Sequence, residues 1–216
     1  FIICLTIDKR MDLDGILKVI DYWQKVAKET VVLPRWATEK IDLKSRKVID
    51  VTGVRRSGKS FILRALWQKV SENNNALYLN FEDPYFEANF PPSNLENLIE
   101  IFQEYYSPDL KYIFWDEVQR IAGWERVVRK YEEAGKIKFV VSGSSAKLLG
   151  GELATLLTGR HDSYIVSPLS FFEYLRFKNI RVENKKDLIL KGMSVYKEFK
   201  KYLVSGGFPE AVVTGK

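Results

Sequence analysis

Apolar residues along this chain follow two alternating patterns, short continuous runs and helically spaced positions. The continuous runs are rich in β-branched and aromatic residues, and they predict five strands at 48–51, 76–81, 111–115, 138–141 and 163–166. Apolar positions three and four residues apart predict helices at 12–29, 61–70, 93–106, 124–133, 169–177 and 186–204. Strands that alternate with helices are typical of βαβ units, so we expect an α/β fold in which helices cover both faces of a mainly parallel five-stranded sheet.

Short polar motifs predict where two of these helices begin. Ser93, followed three residues later by Glu96, predicts a capping box at the start of the helix at 93–106. Asn184 to Asp187 match N-K-x-D, the guanine-reading pattern of GTPases, but no buried strand precedes them. We therefore interpret Asn184 as a helix cap and not as a base-binding residue.

The loop that follows the first strand carries the spacing of a phosphate-binding motif. Glycine, lysine and serine occur there as G-x-x-x-x-G-K-S, between a strand and a helix. Glycines let the backbone curl with its N–H groups towards a polyphosphate, and the helix N-terminus adds positive potential. The residues expected to bind nucleotide are Gly53, Val54, Arg55, Arg56, Ser57, Gly58, Lys59, Ser60 and Phe61.

Two residues of this loop have more specific expected roles. Lys59 would reach the β- and γ-phosphates, and the Ser60 hydroxyl would bind Mg²⁺. The alternative is a glycine-containing turn with a solvated lysine. The order of strand, loop and helix argues against that alternative, because the motif requires this order.

The third strand ends in two adjacent carboxylates, Asp116 and Glu117. Parallel α/β sheets bind their ligands at the carboxyl ends of the strands. Asp116 would hold the magnesium ion, and Glu117, one residue beyond the strand, would orient and activate a water molecule. An acidic turn after a core strand is the alternative, and the phosphate loop upstream favours the metal site.

Hydroxyl and guanidinium groups near the last two strands are further candidates. Ser142 and Ser144 at the end of the fourth strand, with Ser145 beside them, could contact the γ-phosphate or the attacking water, or could cap a helix. Arg160, before the fifth strand, is a candidate arginine finger that acts within the chain or on a neighbouring subunit. A surface salt bridge is the alternative for Arg160.

Composition narrows the class of protein. Lysine and arginine number 34 against 28 acidic residues, and a net charge of +6 is compatible with nucleotide or nucleic acid without establishing either. Cys4 and His161 are the only residues of their types, which excludes a disulfide framework or a Cys/His zinc site within one chain. No run approaches the roughly twenty apolar residues of a membrane span, so we expect a cytoplasmic protein with no membrane contact.

Six ordered motifs carry a resemblance to a known family. They are TGVRRSGKS, YIFWDEVQ, VVSGSSAKLL, LTGR, PLSFFEYL and GGFPE. Together they resemble the archaeal-type P-loop ATPases of the AAA+ superfamily, and the similarity runs from about residue 31 to the end. The resemblance implies a three-layer P-loop NTPase fold followed by the start of a helical lid or winged-helix segment. We therefore divide the chain into an N-terminal helical arm (1–46), an ATPase core (47–167) and an incomplete lid segment (168–216).

The resemblance also implies cofactors and roles. It implies ATP or ADP with Mg²⁺, Glu117 as the base, Ser142 or Ser144 as the γ-phosphate sensor and Arg160 as the finger. We expect hydrolysis of Mg-ATP to ADP and phosphate, coupled to a conformational change of the lid or of a DNA, protein or homo-oligomeric partner. The alternatives are a nucleotide-gated switch with little turnover and a DNA-associated binding module.

Overall fold

A computed structural model of the chain describes residues 12–87, 90–144 and 159–214. Its strands are β1 (Val48–Gly53), β2 (Ala76–Asn80), β3 (Tyr112–Asp116), β4 (Lys138–Ser144) and β5 (His161–Val166). They form one sheet in the spatial order β2-β3-β4-β1-β5, and each of the four strand pairs is parallel. The prediction of a parallel five-stranded sheet is therefore confirmed.

Apolar side chains cover both faces of this sheet from β1 to β4, which explains why these strands are continuous apolar runs, whereas most residues of the edge strand β5 are not buried. On β1, Val48 packs into the cluster on one face, and Ile49 and Val51 pack into the cluster on the other. Successive side chains of a strand point to opposite faces, so a strand buried on both faces must be apolar at successive positions.

The helices of the described ranges are α1 (Leu13–Glu29), α2 (Trp36–Lys40), α3 (Lys59–Val70), α4 (Pro84–Glu87), α5 (Pro92–Tyr105), α6 (Trp124–Ala134), α7 (Phe171–Phe177), α8 (Lys185–Leu190), α9 (Gly192–Ser205) and α10 (Pro209–Thr214). α5 and α6 cover one face of the sheet through residues such as Leu98 and Val127. α3 covers the other face through Leu63 and Leu66. The sheet therefore lies between two helical layers, and residues 54–58 connect the end of β1 to the start of α3.

Two helices differ from the sequence prediction. The helix predicted at 93–106 begins at Pro92, and Pro91 precedes it without a side-chain cap, so the predicted capping box of Ser93 is wrong. Proline suits the first helical position because it has no N–H group to leave unpaired there. The stretch predicted as one helix at 186–204 is divided into α8 and α9, which meet at Lys191.

Residues 169–214 have a small apolar core of their own, formed by Leu169, Tyr174, Leu175, Val195 and Val212. A capping box that the sequence analysis missed, between Ser170 and Glu173, begins α7. Asn184 caps α8 as predicted, since its side chain accepts a hydrogen bond from the N–H of Asp187 at 2.9 Å. We call residues 168–214 the C-terminal segment; its role as a lid, like the division of the chain into three parts, stays a prediction.

Some predictions concern residues outside the described ranges. These are Cys4, Ser145, the helix expected to follow Ser145, and the first two residues of the LTGR motif. Within the part of the chain that the structure describes, no helix combines the length and apolarity needed to cross a membrane.

Candidate nucleotide-binding site

The predicted phosphate loop and the acidic pair meet at one edge of the sheet. β4 lies between β1 and β3, and Gly53 at the end of β1 is in register with Ser144 at the end of β4. β3 ends on the other side of β4, at Asp116. Because neighbouring strands lie about 4.8 Å apart, roughly 10 Å separates the end of β1 from the end of β3. This is the edge at which parallel α/β sheets bind ligands.

Two glycines give the loop its shape. Gly53 has a φ of 152° and Gly58 a φ of 98°, conformations that residues with a side chain rarely adopt. A Cβ atom on Gly53 would overlap the carbonyl oxygen of Val166 and lie 3.1 Å from Oγ of Ser57. Gly58 immediately precedes α3, so the loop leads directly into a helix N-terminus. The motif spacing therefore corresponds to a backbone that only glycine fits.

Lys59 connects the loop to the acidic pair. Its Nζ donates hydrogen bonds to the carbonyl oxygens of Gly53 and Val54, both at 3.2 Å, and lies 3.8 Å from Oε1 of Glu117. The lysine side chain is buried, with only 5% of its surface exposed. An ammonium group at this depth is stabilised by the surrounding oxygen atoms. The structure thus places Lys59 and Glu117, 58 positions apart, in one cluster.

The other predicted loop residues differ in their surroundings. Val54 and Phe61 are exposed, and Arg55 and Arg56 point outwards, with Nε of Arg56 3.7 Å from a carboxylate oxygen of Glu210. Ser57 is fully buried, and its hydroxyl has no hydrogen-bond partner among the residues that the structure describes. Ser60 is half-buried at the second position of α3.

Asp116 is fully buried and is held by two hydroxyl groups. The phenol of Tyr78 donates to its Oδ2 at 2.9 Å, and the Ser142 hydroxyl donates to its Oδ1. Burial raises the pKa of Tyr78 well above its usual value, and the charge of Asp116 raises it further, so the phenol keeps the proton that it donates. The orientation of the Asp116 carboxylate is thus fixed from both sides.

Glu117 has a backbone conformation that is unusual for glutamate, with φ 54° and ψ 41°. Such left-handed residues are costly outside glycine and cluster at functional sites. Its Oε2 accepts a hydrogen bond of 2.6 Å from the Gln119 amide. A cavity of about 640 Å³, lined also by Ser144 and Phe81, opens beside the carboxylate. Glu117 therefore combines partial burial with access to a space that a ligand can enter.

The two candidate serines of β4 differ in what they contact. The Ser142 hydroxyl donates to Asp116 and accepts the backbone N–H of Glu117 at 3.2 Å. Ser144 is half-buried, lies beside Gly53 in the sheet and lines the cavity. The position of Ser144 suits contact with a ligand, whereas Ser142 holds the acidic pair in place.

Arg160 lies at the opposite end of the sheet from the phosphate loop. Its carbonyl oxygen accepts the N–H of Val48, the first residue of β1, whereas Gly53 is the last residue of that strand. At about 3.3 Å per residue the separation is roughly 17 Å. The guanidinium is 2.8 Å from a carboxylate oxygen of Glu133 and 3.5 Å from one of Glu132. Within one chain, the structure does not bring Arg160 to the phosphate loop.

Arg35 is a buried residue near the loop; its segment, residues 33–35, resembles the stretch that approaches the adenine in the related ATPases, but the sequence analysis assigned Arg35 no role of its own. Its guanidinium donates to the carbonyl oxygens of Ser57, at 3.0 Å, and Ser167, at 2.8 Å, and pairs with Glu173 at 2.9 Å. The two side chains of the pair are each 7% exposed. Residues 35 and 173 are far apart along the chain, so no local pattern predicts that they pair. The capping-box spacing of Ser170 and Glu173 indicates only where a helix begins. Arg35 thus joins the phosphate loop to the C-terminal segment.

The contacts of Glu173 also set its acidity. Burial alone raises the pKa of this carboxyl, but hydrogen bonds from the Ser170 backbone and from Arg35, together with the positive charge of Arg35, lower it below the usual 4.5. The N–H of Trp36 also donates to the carboxylate, at 3.1 Å. Glu173 is therefore a carboxylate near neutral pH.

The residues of this edge fit a magnesium nucleotide. The buried hydroxyl of Ser57 lacks a partner within the described ranges, and the first N–H groups of α3 have no acceptor within the helix. One ammonium group and two carboxylates lie at the same edge. The described residues contain no group of three or more histidine, cysteine or acidic side chains that could enclose a metal ion. Mg²⁺ needs only one or two protein ligands beside phosphate oxygens and water, and Ser60 and Asp116 are the residues that would hold it.

The fold and this edge together define the class of the protein, a P-loop NTPase with an α/β fold. A family model described as "AAA domain" matches residues 45–175, more than half of the chain. The chain therefore belongs to the AAA domain family, a nucleotide-binding and ATPase-like class, and the expected AAA+ superfamily is confirmed at this level.

Two relatives show considerable sequence similarity. A protein of Haemophilus influenzae is 38% identical over 169 residues, which cover 76% of this chain and 40% of the relative. A protein of Methanocaldococcus jannaschii is 33% identical over 186 residues, which cover 86% of this chain and 40% of the relative. Both are described as uncharacterized. The chain spans about two fifths of the length of these curated relatives.

Solved structures of low sequence identity also resemble the chain. The structure of Caenorhabditis elegans PCH-2 has a TM-score of 0.42 and 16% identity, over 79% of this chain and 47% of that protein. The crystal structure of Cdc6p from Pyrobaculum aerophilum has a TM-score of 0.43 and 14% identity, over 82% of this chain and 51% of that protein.

Proposed function

We propose that the chain binds Mg-ATP at residues 53–61 and hydrolyses it to ADP and phosphate. The observation that carries this proposal is the distance of 3.8 Å between Nζ of Lys59 and Oε1 of Glu117. It brings the end of the phosphate loop and the acidic end of β3 to one point. A triphosphate that occupies the loop would have its terminal phosphate close to the carboxylate pair.

Binding would use groups whose present partners can be exchanged. Lys59 now donates to carbonyl oxygens of its own loop, and phosphate oxygens would replace these as stronger, charge-assisted acceptors. Backbone N–H groups at the start of α3 would donate to the phosphates. Ser60 and Asp116 would hold Mg²⁺, which supplies charge neutralisation at the β- and γ-phosphate oxygens when it is bound.

Glu117 would act as the general base. Its carboxylate would accept a proton from a water molecule in the adjacent cavity while the water oxygen bonds to the γ-phosphorus and the β–γ bridging bond breaks. The electron pair of that bond stays on the β-phosphate of ADP. Gln119, which holds one oxygen of Glu117, would keep the carboxylate aimed into the cavity. Ser144 is our candidate for the γ-phosphate sensor.

Arg35 supports a coupling between nucleotide state and conformation. It bonds the loop carbonyl of Ser57 and, through Glu173, the first turn of α7. A loop that shifts to surround phosphates would displace the Ser57 carbonyl and change this buried pair. The C-terminal segment would then follow the nucleotide state, as a lid does.

A nucleotide-gated switch with little intrinsic turnover is the second candidate. The position of Arg160 favours it, because the described residues of one chain do not bring this guanidinium to the loop. A neighbouring copy, with Arg160 released from Glu132 and Glu133, would supply the finger in trans. The chain would then hold ATP as a single copy and hydrolyse it efficiently only as a homo-oligomer.

The proposal also includes what the sequence predicts about the location, the branch of the family, the cofactors and the partner. We place the protein in the cytoplasm and in the archaeal-type branch of the AAA+ ATPases, with ATP or ADP and magnesium. A DNA or protein partner is the expected target of the conformational change. The M. jannaschii relative supports the archaeal-type assignment, and the H. influenzae relative extends it to bacteria.

Lys59→Ala tests the binding site directly. Loss of a charge-assisted contact to phosphate costs about 1.5–3 kcal/mol, so we expect ATP affinity to fall about tenfold to a hundredfold. The measurement is a titration with a fluorescent ATP analogue in Mg²⁺. Lys136→Ala is the matched control, because Lys136 is an exposed lysine before β4 at the opposite edge of the sheet. Unchanged affinity in Lys59→Ala would place the nucleotide elsewhere.

A further inference from the structure

A chain of hydrogen bonds leads away from Asp116 towards the N-terminal half of the molecule. The phenol of Tyr78 donates to Oδ2 of Asp116 at 2.9 Å and accepts from Nε of Arg64 at 3.0 Å. Tyr78 lies on β2 and is fully buried, and Arg64 lies on α3, one turn beyond the phosphate loop. The same helix that begins at the loop thus reaches the acidic residue through one phenol.

The guanidinium of Arg64 is fixed by aromatic rings. Its Cζ lies 5.9 Å from the ring centre of Trp23 and 5.6 Å from those of Phe61 and Tyr78. Cation–π contacts and the Nε bond restrict this long side chain to one position. Trp23 is itself held by a hydrogen bond of 2.9 Å from its Nε1 to Asp83. The position of Arg64 is therefore set by α1, α3 and the β2 exit together.

Asp116 needs such support because it is a buried carboxylate. Among the described residues, no cationic group lies within 4 Å of it, and its two oxygens accept from the hydroxyls of Tyr78 and Ser142. A buried charge without a direct counter-ion depends on its hydrogen bonds. The phenol, polarised by Arg64, is the link through which positive charge acts on this carboxylate. A phenylalanine at position 78 would fill the core equally well, so packing alone does not explain the hydroxyl.

We propose that Tyr78 and Arg64 are positioning residues that fix the Asp116 carboxylate for the magnesium ion of the bound nucleotide. This inference rests on the proposed function. Tyr78 would hold Oδ2 and Ser142 would hold Oδ1, which leaves one lone pair of each oxygen for the ion or its water molecules. Residues that orient a metal ligand in this way usually change metal affinity about tenfold to a hundredfold when they are lost.

We call the hydrogen bonds that run from Arg64 through Tyr78 to Asp116 the relay. Tyr78→Phe tests the relay because it removes one oxygen atom and keeps the ring. Mn²⁺ binding in the presence of ADP can be followed by electron paramagnetic resonance. We expect the Mn²⁺ concentration for half-maximal binding, the Mn²⁺ midpoint, to rise about tenfold. ADP affinity measured in EDTA should stay within about twofold, since the phenol forms its hydrogen bonds with Arg64 and Asp116, which lie outside residues 53–61. Tyr106→Phe is the matched control, because it removes a hydrogen bond of 2.7 Å from a tyrosine to the carboxylate of Asp21, far from the loop.

Arg64→Met provides a second, independent test, which also applies if Tyr78→Phe does not fold. This variant should shift the Mn²⁺ midpoint in the same direction by a smaller factor. The double variant should be no worse than Tyr78→Phe, because residues that act in one chain of contacts are not additive. A purely structural role would instead lower the melting temperature and leave the Mn²⁺ midpoint unchanged.

The outcomes separate this inference from the proposed function. If the unaltered chain binds Mn²⁺-ADP, and the variants bind it with the same midpoint, the relay is refuted and the nucleotide site stands. If the unaltered chain binds no nucleotide, the proposed function fails and the relay fails with it. An elevated midpoint in both variants, with normal binding in Tyr106→Phe, supports the relay.

Discussion

At the scale of single residues, three backbone positions give the site its form. Gly53 and Gly58 have positive φ angles that shape the loop, and Glu117 has one without being glycine. Glycine at the first two was predictable, since the motif spacing requires it. The conformation of Glu117 was not, because no local pattern predicts a left-handed glutamate. It follows from the Ser142 bond to its N–H and from the turn that ends β3.

Gly53→Ala should destroy the loop geometry. The new methyl group would overlap the carbonyl oxygen of Val166, in addition to the strain of a positive φ. We expect the free energy of unfolding to fall by about 2 kcal/mol or more and ATP binding to be lost. Chemical denaturation and nucleotide titration provide the measurements.

Gly135→Ala is the control for that substitution. Gly135 also has a positive φ, 65°, but no atom of the part of the chain that the structure describes lies within 4 Å of the position of its Cβ. It should show only the backbone strain, about 1 kcal/mol, with normal ATP binding. Equal effects of the two substitutions would mean that the close approach at Gly53 has no special importance.

The side chains that support the site were the hardest residues to foresee. Tyr78 and Arg35 lie 38 and 138 positions from the carboxylates that they contact. The contact of Tyr78 with Asp116 can be predicted only when the strand order is known, because the topology makes β2 and β3 neighbours. The pair of Arg35 and Glu173 joins residues that lie outside the sheet, so even the strand order does not predict it. Local motifs predict which residues bind phosphate, but not which residues hold them.

At the scale of elements, the periodicity of the sequence predicted most of the fold. Strands covered on both faces are continuous apolar runs, which made β1 to β4 recognisable, although β4 extends three residues beyond its predicted end, to Ser144. β5 was also predicted, although it lies at the edge of the sheet and most of its residues are not buried. Helix ends were less certain, as Pro92 and the division at Lys191 show. Periodicity cannot predict that the C-terminal segment is attached to the loop, because this attachment depends on the buried pair of Arg35 and Glu173.

Glu173→Gln should make that attachment weaker and less dependent on pH. The pKa of Glu173 is lower in the folded protein than its usual 4.5, so its contribution to stability is present above that pH and is lost as the pH falls through the lowered pKa. At pH 7 we expect the variant to be less stable by about 2 kcal/mol. The difference from the unaltered chain should shrink below about pH 4.

Denaturation curves between pH 7 and 3.5 measure this effect. Glu183→Gln, at an exposed glutamate of the same segment, is the matched control and should show no comparable loss. A stability difference for Glu173→Gln that stays constant over this range would show that the charge of Glu173 does not stabilise the fold.

At the scale of the whole molecule, the chain combines an AAA domain with a helical segment joined to its phosphate loop. The family model covers residues 45–175, and the curated relatives are more than twice as long as the matched region. The sequence did not predict that Arg160 lies far from the phosphate loop of its own chain. It favours an assembly in which one copy completes the site of another.

Steady-state phosphate release is the most direct measurement of the central claim, that one loop and one acidic pair act together on ATP. It should be followed for the purified chain and for Glu117→Gln, with Mg²⁺, over a range of protein concentrations and with and without DNA. We predict release by the unaltered chain that rises more than proportionally with its concentration, and a loss of about a hundredfold in Glu117→Gln with ATP binding retained. Equal release by the two proteins would contradict the account.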